Sequence, residues 1–175
     1  GSGTINGQGA HQNFQHGNDS KGGPRRPKII YFIGCNNVRV QDVTLRNSAY
    51  WTQDYEKCNG VIVRGVKVYS HANWNNDGLD IDSRNVVVSD CYIDCDDDAL
   101  CLKSDTDTPC ENVTVTNCVL KSNCNAIKFG TSSYSGFKNV TISNCTIDRA
   151  SEDHIRQWYK NYPWIGTKHK TVVAG

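Results

Sequence analysis

One feature constrains this sequence more than any other: a two-strand unit that returns five times, as CNNVRVQDVTLRNS, CNGVIVRGVKVYSH, SRNVVVSDCYIDC, CENVTVTNCVLKSN and FKNVTISNCTIDR. Val38, Val61, Val86, Val113 and Val140 recur at steps of 23, 25, 27 and 27 residues, and Val43, Val66, Cys91, Cys118 and Cys145 recur at the same steps. A unit this short cannot bury its apolar side alone, so it must stack on the next copy. Within each copy the apolar residues alternate, as in Val113-Thr114-Val115 and Val140-Thr141-Ile142, which is the period of a strand with one buried face rather than of a helix. Asn37, Gly60, Asn85, Asn112 and Asn139 stand just before the first Val of each copy. Asn and Gly tolerate left-handed backbone, so every copy is expected to turn at one fixed corner.

A third apolar pair, Leu79/Ile81, Leu100/Leu102 and Ile127/Phe129, follows the later copies. Three short strands per turn of about 25 residues predict an all-β chain coiled as a parallel β-helix, with its strands stacked ~4.8 Å apart. Residues 1–175 are expected to form one such domain, a piece of a longer protein, since the sequence contains no Met and opens inside a Gly-rich turn, GSGTINGQG. From residue 148 the pattern degrades, and 148–171 reads as a long excursion between rungs. Such an interrupted coil exposes a strand edge, so weak or absent activity of the chain by itself is expected.

Composition excludes more than it identifies. Nineteen Lys and Arg against 18 Asp and Glu leave a net charge of +1, which gives no reason to expect a nucleic acid or a membrane as partner. No apolar run approaches the ~20 residues of a membrane-spanning helix. Nine cysteines without a CxxC pair, and five scattered histidines, do not form a zinc pattern. Cys91, Cys118 and Cys145 instead continue an inward ladder, and with Cys35, Cys58 and Cys110 they read as buried free thiols before they read as disulfides. The sequons at Asn112, Asn139 and Asn144 fall out of the rung consensus, so a stacked corner or strand Asn is the stronger reading and glycosylation the weaker.

Two acidic clusters break the repeat's bland chemistry. Asn75-Asn76-Asp77-Gly78 precedes Leu79, and Asp96-Asp97-Asp98 precedes Leu100; the 21-residue step from Leu79 to Leu100 also carries Asp77 onto Asp98. Stacking carboxylates one rung apart raises their repulsion and pushes at least one pKa upward, a condition typical of working sites. Glycoside hydrolysis needs such a set, one carboxylic acid for the leaving oxygen and another carboxylate for water. Adjacent strand residues face opposite sides, so Asp97 and Asp98 share a cleft only if the backbone bends there.

NNDGLDIDS followed by DCDDDALCLKS resembles the signature of the family 28 glycoside hydrolases, the polygalacturonases and their relatives, and GSGTINGQG, RPKIIYFIGCNNVRVQDVTLRNSAYWTQ and PCENVTVTNCVLKSNCNAIKFGTSS follow that family's order. The resemblance covers residues 1 to about 147. It implies a right-handed β-helix that hydrolyses a pectic, galacturonic-acid-containing poly- or oligosaccharide with inversion, without a cofactor or metal, in a secreted or periplasmic protein. It further implies Asp97 as general acid, Asp77 and Asp98 as the residues that hold and activate water, and Asn75 as a substrate contact. The family's Gly-His-Gly falls on Asn123-Cys124-Asn125 and lacks its His, so ordinary endo-polygalacturonase activity is not expected. Its Arg-Ile-Lys motif is either degraded at Arg156-Gln157-Trp158 or lies beyond Gly175. Lys103, Lys128 and Arg156 are the cations available to an acidic sugar, and Trp74, beside Asn75, is a candidate sugar platform, as is Trp51; solvated or packed roles remain open for each. Two other functions fit the same coil: a calcium-dependent polysaccharide lyase, and a carbohydrate-binding β-helix without catalysis.

Overall fold

The computed structural model describes residues 2–14 and 26–152. Its strands, in chain order, are β1 (Thr4–Asn6), β2 (Ile30–Ile33), β3 (Asn36–Gln41), β4 (Thr44–Arg46), β5 (Gln53–Arg64), β6 (Lys67–Ser70) and β7 (Leu79–Ser89). They continue as β8 (Tyr92–Cys95), β9 (Leu100–Ser104), β10 (Cys110–Thr116), β11 (Val119–Ser122), β12 (Ile127–Ser133), β13 (Phe137–Ser143) and β14 (Thr146–Arg149). Every pairing is parallel, and the chain coils as the expected β-helix.

Three faces make each rung. The first stacks β1-β4-β6-β8-β11-β14. The second stacks β2, the first half of β5, the first half of β7, β9 and β12; the third stacks β3, the second halves of β5 and β7, β10 and β13. β5 and β7 thus run through two faces, and their pairing shifts register between Glu56 and Asn59, at the bend.

On the third face Val38, Val61, Val86, Val113 and Val140 pair rung to rung, as their spacing predicts. The middle members are fully buried, and Val66, Cys91 and Cys118 form the second inward ladder beside them. All nine cysteines are free thiols. The corner before the Val ladder has left-handed backbone at Asn37, Gly60, Asn85, Asn112 and Asn139. Its amides form a ladder of their own, Asn85 donating to Asn59 at 2.7 Å, Asn112 to Asn85 at 2.9 Å and Asn139 to Asn112 at 2.9 Å.

Three expectations change. GSGTINGQG is not only a turn: Thr4–Asn6 is a strand that pairs with Thr44–Arg46 and extends the first face. The third apolar pair is present in the early rungs too, as Ile30 and Phe32 in β2 and Gln53 and Tyr55 in β5. The buried Gln53 keeps its amide satisfied by donating to the Gly78 carbonyl and accepting from the Tyr55 hydroxyl, which hides the strand's alternation in the sequence. Finally, β14 continues to Arg149, so the pattern holds through two residues of the 148–171 excursion. The rest of that segment from 153, with Arg156 and the Thr171-Val172-Val173 stretch, lies outside the described residues.

Candidate active site

The acidic clusters occupy the corner where the first face turns into the second. Residues 71–78 connect β6 to β7, and residues 96–99 connect β8 to β9. Backbone bonds carry the stacking through this corner, from Thr52 N to the Asp77 carbonyl, Gly78 N to the Asp98 carbonyl and Ala99 N to the Asn125 carbonyl. Gly78 is required here by close approach. A Cβ on it would sit 2.2 Å from the Ile93 Cγ2 and 2.8 Å from the Ala99 carbonyl oxygen.

The chain does bend at Asp96 and Asp97, so both catalytic candidates of that cluster reach one site. The Asn76 side-chain oxygen accepts from the backbone N–H of Asp96 and Asp97, and Asp97 Oδ1 accepts from the N–H of Asp98. Asp77 and Asp98 are buried, while Asp97 is half-buried. One oxygen of Asp77, one of Asp98 and the Cys101 sulfur lie within 4.8 Å of one another, as do atoms of Asp97, Asp98 and Cys124. Asp98 is therefore the centre of the group. Either trio has donors for a cation, but Lys128 Nζ already stands 2.8 Å from Asp98 Oδ2, and Asn125 donates to Asp98 Oδ1 at 2.6 Å.

Burial raises the pKa of Asp77 well above the carboxylate range, and the charges of Asp80, Asp97 and Asp98 add to it. Asp77 Oδ1 is buried without a hydrogen-bond partner. Asp97 is raised by burial first and by the Asp98 charge second, with Lys128 opposing. The arrangement holds protonatable carboxyls beside a carboxylate that has its own counter-charge, which is a supply of both acid and base.

Of the proposed substrate contacts, Asn75 is adjacent: its amide stands 3.4 Å from Asp97 Oδ2. Lys128 reaches the site through Asp98, and Lys103 is buried and ion-paired with Asp80 at 3.2 Å. Trp74 flanks the corner, but an Arg26 guanidinium sits 4.5 Å from its ring centroid, so one approach to the ring is engaged. Trp51 is stacked with Tyr50 and has the ammonium groups of Lys28 and Lys103 each 4.4 Å from its centroid.

Sequence reasoning missed four contributors. Asp80 follows the NNDG cluster on an outward strand position, yet it is fully buried, and its pKa is pushed up to about 7 by burial against the pull of Lys103. Cys101 sits one rung above Asp80 in the same column, buried, with its sulfur beside Lys103 and Gly130. Arg26 reaches across 49 residues to the Asn75 side chain at 3.0 Å and also donates to the Trp74 carbonyl. His71 is buried between Asp94 and Asp96. Asp80 alone had a signal, its place in LDID; the others depend on which rungs the coil brings together.

Comparison with known proteins gives a consistent picture. Residues 1–158 match the family model described as Glycosyl hydrolases family 28. A protein of Arabidopsis thaliana named as a probable polygalacturonase is 34% identical over 108 residues, 61% of this chain and 22% of the relative. One of Vitis vinifera with the same description is 32% identical over 109 residues, 60% of this chain and 22% of the relative. The chain thus spans about a fifth of the length of these curated relatives. Among solved structures, a hyperthermoactive exopolygalacturonase from Thermotoga maritima superposes with a TM-score of 0.64 at 28% identity, over 74% of this chain and 32% of that one. A family 28 exopolygalacturonase from Yersinia enterocolitica gives a TM-score of 0.50 at 23% identity, over 74% of this chain and 25% of that one, and shares the fold.

Proposed function

We propose, because this chain belongs to glycosyl hydrolases family 28, that it carries the catalytic corner of a hydrolase acting on a pectic, galacturonic-acid-containing poly- or oligosaccharide. The observation that carries the reading is the convergence of Asp77, Asp97 and Asp98 from two successive rungs, with the pKa of Asp77 and Asp97 raised. Asp97, the most accessible of the three, gives its proton to the departing glycosidic oxygen. Water attacks the anomeric carbon from the opposite side, its proton passes to the Asp77/Asp98 pair, and the configuration inverts. Lys128 compensates Asp98 throughout.

Asn75, Trp74, Lys103 and Lys128 are proposed substrate contacts, and Arg156 is a further candidate beyond the described residues. Lys103 and Lys128 already face Asp80 and Asp98, and Cys124 stands within the family's Gly-His-Gly position, so unbranched polygalacturonate is not the best substrate in this reading. Residues 1–175 belong to one β-helix domain of a secreted or periplasmic protein; among the described residues no helix is long and apolar enough to cross a membrane. Proton NMR of the first product from galacturonosyl oligomers tests the reaction. The inverted anomer is expected to appear before mutarotation. Rates on polygalacturonate, rhamnogalacturonan and short oligomers test the substrate, and a clear preference for the first contradicts it.

A further inference from the structure

Behind the catalytic corner lies a second group of ionisable side chains that the reaction above does not use. His71, the residue that follows β6, is buried at 7% exposure between two buried carboxylates. Its Nδ1 lies 2.8 Å from Asp96 Oδ1 and its Nε2 3.0 Å from Asp94 Oδ1. Asn123, from the turn after β11, donates to the same Asp96 oxygen at 2.6 Å and to the Glu152 carbonyl at 2.7 Å. The backbone N–H of Ser151 donates to Asp94 Oδ1 at 2.9 Å. One imidazole thus joins β6, β8, the bend after β8 and the chain that leaves β14.

We propose that His71 is a positioning residue: held by both ring nitrogens, it clamps Asp96 and with it the bend that aims Asp97 and Asp98 into the site. The inference rests on the catalytic reading of those two aspartates, but the clamp is a claim about this chain's own geometry. Asp96 adjoins Asp97, and its N–H shares the Asn76 oxygen with the N–H of Asp97, so movement of Asp96 cannot leave Asp97 in place. Two carboxylates around one ring require both ring nitrogens to donate, which makes the ring an imidazolium. Burial lowers the pKa of His71, but the bonds to Asp94 and Asp96 outweigh it and bring it to about 9. Among the described residues, Asp94 and Asp96 are the charged groups that act on the ring; Lys121 of β11 interacts with Asp94, and beyond β14 the Glu152 carbonyl accepts from Asn123.

Asn and Gln separate the two halves of the clamp. His71→Asn places an amide near the Nδ1 position and keeps a donor for Asp96; His71→Gln places one near Nε2 and keeps a donor for Asp94. The first readout is nitrogen NMR of the His71 ring, where both nitrogens are expected protonated at pH 7, with titration well above the ordinary ~6.5. The second is the backbone amide shifts of Asp97 and Asp98, which are expected to stay near wild type in His71→Asn and to move in His71→Gln. The third is turnover: in His71→Gln, kcat falls by about 10²-fold, the scale of a misplaced catalytic group, with KM little changed, and His71→Asn recovers most of it. Equal disturbance in both variants, or a ring with one unprotonated nitrogen at pH 7, overturns the clamp. If neither variant nor wild type turns over substrate while the amide shifts behave as stated, the catalytic reading fails and the clamp stands.

Discussion

Two corners of the rung are built by the same rule and used in opposite ways. At the corner before the third face, Asn85, Asn112 and Asn139 repeat one residue type, stay exposed, and pass one amide hydrogen bond from rung to rung. At the corner before the second face, the rung-to-rung backbone bonds are just as regular, but the stacked residues change from Asp77 and Asp98 to Asn125, and both aspartates are buried. Uniform ladders satisfy each other and need nothing more. A stacked position that changes to buried carboxylates, Asp98 paired with Lys128 but Asp77 Oδ1 left without a hydrogen-bond partner, raises the free energy of the fold, and such a departure is where chemistry is to be sought.

Variants of the two regions should fail in different ways. The largest effect belongs to the scaffold: Val113→Asp places an unpaired charge at a fully buried position between Val86 and Val140. A loss of about 3–5 kcal/mol is expected, visible as collapse of the cooperative thermal transition; an unchanged transition breaks the register. The catalytic corner should show the reverse. Asp97→Asn is expected to lower turnover by about 10²–10⁴-fold, and Asp77→Asn to do the same while leaving the melting temperature unchanged or higher, since it removes a buried group whose Oδ1 has no partner. Unfolding in both variants would make the corner structural.

The pH dependence sharpens the contrast. The native pKa of Asp80 is about 7 and that of His71 about 9, each above its unfolded value, so the folded state binds more protons than the unfolded one in both windows. Stability should therefore fall as pH rises from about 4 to about 7 through Asp80, and again from about 6.5 to about 9 through His71. Asp80→Asn should shrink the first decline in a plot of melting temperature against pH, the remainder belonging to the other raised carboxyls, Asp77, Asp82 and Asp97, and no exposed Asn corner variant should alter either. The smallest effect is at that exposed corner: Asn139→Ala, at φ 53°, should cost about 1 kcal/mol, and Asn139→Gly less.

The contrast also explains what was legible in the sequence. Val38 to Val140 and Cys91 to Cys145 are visible because one residue class recurs at fixed steps, and Asp77 and Asp98 because they break that recurrence in register. The second face of the early rungs is hidden because inward positions hold Gln53 and Tyr55, whose polar atoms satisfy each other. The second left-handed corner, at Asp42, Gly65, Asp90, Asn117 and Asn144, changes residue type at nearly every rung and escaped notice for the same reason. Asp80 is not singled out by alternation, which predicts direction and not burial. Arg26 and His71 depend on contacts 49 and 25 residues away, which no local pattern encodes.

The most direct measurement is the titration of the Asp77 and Asp97 side-chain carboxyl carbons by NMR in the intact chain. The account predicts that both carboxyls keep their protons above the ordinary ~3.9 of an aspartate, Asp77 well above it, because burial and neighbouring carboxylates act on each. Titration of both at or below that value would mark an acidic turn in contact with water, and would contradict the assignment of this corner as the active site.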